Sequence, residues 1–133
     1  MTIDDETAAY IIEVHKYFED LRQVASQLAG LLVLAAASGK DPVPDHPMLL
    51  SARRLHQEAC DGLRATRATE CARVHHHHLI EAAAALGGSL RQFDVDLALG
   101  PLRAGYAHLE RASRSLPGFE LVSFEHACCA KTT

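Results

Sequence analysis

Residues 7–38 read TAAYIIEVHKYFEDLRQVASQLAGLLVLAAAS, and their apolar side chains recur at alternating intervals of three and four residues. This period places them on one face of a helix that packs in a bundle. The members of this seam are Ile11, Val14, Phe18, Leu21, Ala25, Leu28, Leu32 and Ala35. Polar residues fill the opposite face, and SGKDPVP at 38–44 ends the pattern. The stretch therefore predicts a long amphipathic first helix, over residues 3–38.

Three shorter stretches repeat this spacing. Residues 45–66 carry the stripe Met48, Ala52, Leu55, Ala59, Gly62 and Thr66, with Asp45 expected as N-cap and Pro47 in the first turn. Residues 69–93 carry the stripe Ala72, His76, Leu79, Ala83, Leu86, Leu90 and Phe93. Residues 97–116 carry the stripe Leu102, Tyr106, Leu109, Ser113 and Leu116. We expect a turn within residues 65–70, because one helix of about 48 residues would far exceed the usual helix length.

Four amphipathic helices with short connections predict an all-α fold, an antiparallel up-and-down four-helix bundle. The 133 residues have the length of one domain, with an irregular C-terminal tail at 117–133. The net charge is −4 and the basic residues are scattered, so the sequence shows no basic patch of the kind that binds nucleic acid or an anionic membrane. The apolar run at 28–37 is shorter than the roughly 20 residues that span a bilayer. We therefore expect a cytoplasmic protein with neither a nucleic-acid nor a membrane partner.

The segment VHHHHLIE, residues 74–81, contains four consecutive histidines. Continuing the third helix's seam backward from Leu79 predicts His76 in the core and His75 at its edge. The residues predicted to face outward are His77, His78 and Glu81. The run is therefore divided between two inward and two outward imidazoles.

The same topology predicts that imidazoles and thiols gather at one end of the bundle. The candidate metal ligands are His75, His76, Cys60 and Cys71, with His126, Cys128 and Cys129 from the tail. Imidazole and thiolate ligands suit zinc, copper or iron. The alternative is that the histidines are hydrogen-bonded to protein groups and that the thiols bind nothing. A second hypothesis is a polar internal pocket for a small molecule, lined by His76, Tyr17, Tyr106 and Ser113.

No glycine-rich phosphate loop, G-x-S-x-G or H-E-x-x-H motif is present, which favours a non-enzymatic role. The sequence favours an interaction or regulatory module that self-associates as a homodimer, ahead of metal binding and small-molecule binding. One reason is that the long first helix should overhang its shorter partners, leaving its N-terminal turns to be covered by the tail or by a second subunit. Another is that Val33 and Leu34, with Ala84 and Ala85, occupy outward positions at one apolar end, which could bind a protein partner.

Overall fold

The computed structural model describes residues 3–91, 93–119 and 121. These residues form four helices, which are α1 (Asp5–Ser38), α2 (Pro47–Ala65), α3 (Arg73–Arg91) and α4 (Val95–Ser115). A single 3₁₀ turn, Glu70–Ala72, precedes α3. The most extensive packing is between α3 and α4, followed by that between α1 and α2. The predicted all-α four-helix bundle is confirmed.

Short polar side chains and one glycine define the ends of α1. The Asp4 carboxylate accepts a 2.7 Å hydrogen bond from the Thr7 amide, which satisfies a free N–H of the first turn. At the other end Gly39 adopts a left-handed conformation with φ 72°, and its N–H bonds the Ala35 carbonyl. The helix therefore stops at the glycine that the sequence places there.

The start of α2 differs from the expectation. The N-cap is His46 rather than Asp45, because the imidazole Nδ1 of His46 accepts a 3.1 Å hydrogen bond from the Met48 amide. Asp45 is exposed and lies one residue too early to cap this turn. Pro47 occupies the first helical position, where its missing N–H costs nothing.

The connection between α2 and α3 covers residues 66–69, within the region where the sequence predicts a turn. The Thr66 hydroxyl donates to the Gly62 carbonyl at 2.7 Å, which satisfies one of the last carbonyls of α2. The hydroxyls of Thr69 and Thr7 lie 2.9 Å apart, so the connection is also hydrogen-bonded to α1.

The helix α4 begins with Asp94, whose carboxylate accepts from the Asp96 amide at 2.8 Å. Pro101 lies inside this helix and has no N–H to donate to the Leu97 carbonyl one turn earlier. Near the same place the Ser89 hydroxyl of α3 donates to the Ala98 carbonyl at 2.9 Å. The first turns of α4 are therefore held partly by a neighbouring helix.

The core lies along α1, as its seam predicts. Of the eight seam residues, six are buried, while Ile11 and Leu32 are half-buried. The core face of α1 is wider than the seam, because Tyr10, Val24 and Leu31 are also buried. The fully buried side chains of the other helices include Leu49, Leu63, Leu79, Leu86 and Leu109.

The N-terminal turns of α1 do not overhang the bundle. Tyr10 and Val14 are 2% and 0% exposed. They belong to the same buried cluster as Ala72 of the 3₁₀ turn and Phe119, which follows α4. Of the two covers that the sequence allowed, the tail and a second subunit, the tail supplies Phe119 here, so this end of the bundle gives no support to a second subunit.

By length and composition alone, α1 is long and apolar enough to cross a membrane. Its most apolar stretch has a mean hydropathy of 1.3, and a third of that stretch is buried within the fold. The core helix of a bundle and a membrane-spanning helix both meet these criteria of length and composition.

Candidate functional site

A group of aromatic and imidazole rings lies where the N-terminal half of α1 meets the start of α3. The Tyr10 hydroxyl is 2.8 Å from Nδ1 of His75 and 3.3 Å from Nδ1 of His76. Phe119 packs on the His75 ring with a centroid distance of 4.1 Å and on Phe18 at 5.2 Å. We call Tyr10, His75, His76 and Phe119 the histidine cluster.

The positions of His75 and His76 are the reverse of those predicted. His75 is fully buried and His76 is half-buried at the edge of the core. The interval of seven positions between Ala72 and Leu79 can be divided into a step of four and a step of three, which places His76 in the core. It can also be divided into a step of three and a step of four, which places His75 there. A 3₁₀ turn has three residues per turn and aligns positions i and i+3. In the structure, the 3₁₀ turn that ends at Ala72 is followed by the step of three residues, which leads to His75.

Burial determines the ionisation of the histidine cluster. Loss of water, followed by the positive charges that His76 and His78 can carry, lowers the pKa of His75 to about 4. Burial also raises the pKa of the Tyr10 phenol. At neutral pH the two groups therefore share a hydrogen bond between uncharged partners.

The Tyr10 hydroxyl carries one proton, which constrains the protons of the two imidazoles. Among the described residues, Nε2 of His75 is buried without a hydrogen-bond partner. If Nδ1 of His75 donates to the Tyr10 oxygen and the Tyr10 hydroxyl donates to His76, both hydrogen bonds form and only a lone pair is left unsatisfied. The opposite tautomer of His75 would bury an unpaired N–H, and unpaired buried donors are rarer than unpaired acceptors.

A second imidazole pair joins α3 to α4. His78 is half-buried rather than outward-facing, and its Nδ1 is 3.2 Å from Nδ1 of His108. The ring centroids are 5.5 Å apart and the ring planes are inclined by 31°. Burial lowers the pKa of His78, as do the charges of His108, His77 and Arg111, while Glu81 acts in the opposite direction. His77 and Glu81 are exposed, as predicted.

The thiols of Cys60 and Cys71 were expected to lie near His75 and His76, and the structure gives them other surroundings. Cys60 is half-buried, and its sulfur lies 3.4 Å from Nε2 of His56, which is 2.8 Å from the Ala83 carbonyl oxygen. Burial raises the pKa of the Cys60 thiol, which is the reverse of the shift that activates a nucleophilic cysteine. Cys71 is exposed.

The predicted metal site is not assembled within residues 3–91, 93–119 and 121. No group of three or more His, Cys, Asp or Glu side chains in these ranges is placed to hold a metal ion. His75 and His76 instead contact Tyr10, and Cys60 contacts His56. The remaining candidates, His126, Cys128 and Cys129, lie outside the described residues.

The four residues of the predicted internal pocket have separate contacts. The Tyr17 ring lies directly against Gly62 of α2, whereas His76 contacts Tyr10. The Ser113 hydroxyl donates to the Glu110 carbonyl of its own helix at 2.6 Å. Tyr106 is half-buried, and burial, with the charge of Glu110, raises the pKa of its phenol. These contacts do not support a pocket shared by the four side chains.

No protein-family model, curated protein or solved structure matches this chain.

Exposed apolar side chains gather at the end of the bundle where α1 finishes and α2 and α4 begin. The 3.2 Å hydrogen bond from the Val95 amide to the Asp41 carboxylate joins the start of α4 to the segment after α1. We call the exposed residues here the apolar pole, which consists of Val33, Leu34, Val43, Leu50, Leu97 and Leu99. A surface pocket of about 210 Å³ lies beside Leu34, with Leu31, Pro42 and His46 among its lining residues.

The sequence did not predict the contacts of three residues, Phe119, His56 and His108. Phe119 lies in a segment without periodicity, and no pattern marks it as a cover for His75. His56 lies half-buried on α2 and contacts the Ala83 carbonyl of α3. His108 directly precedes the core residue Leu109 of α4, so its position next to the core stripe was the one available signal.

Proposed function

We propose that this chain is a helical interaction module that self-associates through the apolar pole. The observation that supports this proposal is the distribution of exposed large apolar side chains. In the part of the chain that the structure describes there are nine of these, and six belong to the apolar pole. Single exposed apolar residues are common on protein surfaces, whereas a group at one end is typical of a binding surface.

The exposure of the individual side chains supports a contact surface rather than a loosely packed core edge. Val33 is 68% exposed, Leu97 is 64% exposed and Leu34 is 52% exposed. Leu34 and Leu97 each lie directly before a buried residue, Ala35 and Ala98 respectively. Apart from Val43, which lies between α1 and α2, the apolar pole is therefore formed by side chains on the outer sides of helices whose inner sides fill the core.

A second copy of the chain is the partner that these features favour. Lys40 and Asp41 at the apolar pole have opposite charges, as do Arg91 and Asp96 nearby. A two-fold interface brings each surface against itself, and adjacent charges of both signs can then pair across the axis. A surface for an anionic membrane would instead carry an excess of basic residues.

Analytical ultracentrifugation of the untagged chain over a range of concentrations tests this proposal. We expect a monomer–dimer equilibrium that Val33→Glu and Leu97→Glu each weaken at least about tenfold, because a buried unpaired carboxylate costs more than 1.4 kcal/mol. Ile12→Glu is the matched control, because Ile12 is 79% exposed on the N-terminal half of α1. This control should leave the equilibrium unchanged, and far-UV circular dichroism checks the fold of all three variants.

Two results would overturn the proposal. One is a monomer at every concentration, and the other is an equal loss of association in Ile12→Glu and in the two apolar-pole variants. Binding of the monomer to neutral phosphatidylcholine vesicles, abolished by Leu97→Glu, would assign the apolar pole to a lipid surface instead.

A further inference from the structure

His78 of α3 and His108 of α4 form a pair of imidazoles apart from the residues of the apolar pole. The two imidazoles come from different helices, and both are half-buried. Their Nδ1 atoms are 3.2 Å apart. The α3–α4 interface, the most extensive in the fold, holds the two backbones in place.

A separation of this size has two chemical interpretations. In an N–H···N hydrogen bond, one Nδ1 carries the proton and the other accepts it. Around a tetrahedral zinc ion, with Zn–N distances of about 2.0–2.1 Å, two nitrogen ligands are about 3.3–3.4 Å apart. The observed 3.2 Å is close to this spacing, but the ring centroids lie 5.5 Å apart, so the two Nδ1 atoms face each other head-on and both rings must turn before one ion can bind them.

We propose that His78 and His108 form an open two-histidine site for a divalent transition-metal ion of the class that prefers imidazole nitrogen, such as Zn²⁺. Both histidines would bind through Nδ1, and each ring would carry its proton on Nε2. The ring that donates the hydrogen bond in the metal-free protein must therefore move its proton from Nδ1 to Nε2. No net proton is released in this exchange, and no redox step is involved.

The surroundings of the pair indicate an incomplete coordination shell. Within the described ranges, no third His, Cys, Asp or Glu side chain is in position to complete a metal site. Glu81 is exposed three residues after His78 on the same helix, and its charge acts on His78. Water would fill the remaining positions, or the Glu81 carboxylate could take one of them by a change of rotamer. The cationic Arg111 also acts on His78, so the affinity should be modest.

Isothermal titration calorimetry of the untagged chain with zinc chloride measures the affinity. We expect one zinc ion per chain, and at least a tenfold loss of affinity in His78→Gln and in His108→Gln. The double variant should be no worse than either single variant, because one substitution already removes the chelate. His77→Gln is the matched control, because His77 is exposed on the same helix and adjacent in sequence, and it should bind zinc within about twofold of the unsubstituted chain.

An NMR measurement on the unsubstituted chain makes the test independent of any variant's folding. Imidazole nitrogen spectra should show one Nδ1-protonated ring in this pair without zinc and none when zinc is bound. The proposal is overturned if zinc does not bind, if the double variant binds zinc as tightly as the unsubstituted chain, or if His77→Gln weakens binding as much as His78→Gln. It is also overturned if zinc binds while the two Nδ1 signals remain unchanged.

Discussion

Tyr10 and His75 are 65 residues apart in the sequence and share a hydrogen bond of 2.8 Å in the interior of the bundle. Each group would be costly to bury alone, because its lost contacts with water would not be replaced. Together they satisfy each other only when one particular turn of α1 faces one particular turn of α3. The pair therefore favours one axial alignment of α1 against α3.

Replacing Tyr10 by phenylalanine should destabilise the fold by about 1–3 kcal/mol, because it leaves the buried Nδ1 of His75 without its partner. Urea denaturation followed by circular dichroism measures the change in the free energy of unfolding. Tyr106→Phe on α4 removes a hydroxyl outside the histidine cluster and should change stability by less than about 0.5 kcal/mol. Equal effects of the two substitutions would show that the Tyr10–His75 bond contributes nothing specific.

Stability should fall as the pH is lowered from about 6.5 to about 4, because the folded protein resists protonation of His75. Its pKa is about 4 in the fold and 6.5 in the unfolded chain, so the unfolded chain binds more protons in this interval. The contribution is complete above pH 6.5 and decreases by about 3 kcal/mol as the pH falls through the interval. Carboxylates titrate in the same range, and the comparison with His75→Gln isolates the imidazole. A His75→Gln protein with the same pH dependence as the unsubstituted chain would contradict this prediction.

Truncating Phe119 to alanine should raise the pKa of His75 toward its ordinary value, because the ring that covers the imidazole is removed. The same change should lower the free energy of unfolding by about 3–5 kcal/mol, the usual cost of deleting a buried phenyl ring. An NMR titration of the His75 ring measures the pKa. Phe93→Ala, which removes a half-buried ring just after α3, should lower stability without moving that pKa.

Two glycines of α4 should respond to alanine in opposite directions. A Cβ at Gly105 would lie 2.8 Å from Cγ and Cδ2 of Leu86, which is fully buried and cannot move aside. Gly105→Ala should therefore cost about 1–3 kcal/mol. A Cβ at Gly100 would meet no atom within 4 Å, and Gly100→Ala should stabilise the helix by about 0.5–1 kcal/mol. Thermal denaturation compares the two variants, and a stabilising Gly105→Ala would mean that α3 and α4 pack less closely than described.

The sequence was sufficient to predict the fold, because the seam of α1 is long and unambiguous. A period repeated over eight positions identifies a helix and its buried face even when the partners of that face are unknown. The error at His75 and His76 has a local cause, since only two anchor residues, Ala72 and Leu79, flank the histidines. Their separation of seven positions fits a core residue at His76 or at His75. The 3₁₀ turn that precedes the observed arrangement, with His75 in the core, cannot be recognised from the periodicity.

The pairing of His78 with His108 could not be predicted for a different reason. Helical periodicity gives the direction in which a side chain points around the helix axis. It does not give the position of that side chain along the axis relative to a neighbouring helix. That position depends on the close contact of Gly105 with Leu86 and on the length of the connection between α3 and α4. A contact between two half-buried residues on different helices therefore becomes visible only in the assembled structure.

The proline inside α4 has a consequence for the dynamics of the apolar pole. The missing hydrogen bond to the Leu97 carbonyl removes one link between residues 95–100 and the part of α4 that follows Pro101. The amides of this short segment should exchange with deuterium at a lower opening free energy than those of 102–115. Leu97 and Leu99 lie on this segment, while the bond from Ser89 to the Ala98 carbonyl keeps it attached to α3. We therefore expect the α4 side of the apolar pole to be tethered but locally adjustable, a property that would let the proposed interface adapt its shape while the rest of the bundle stays folded.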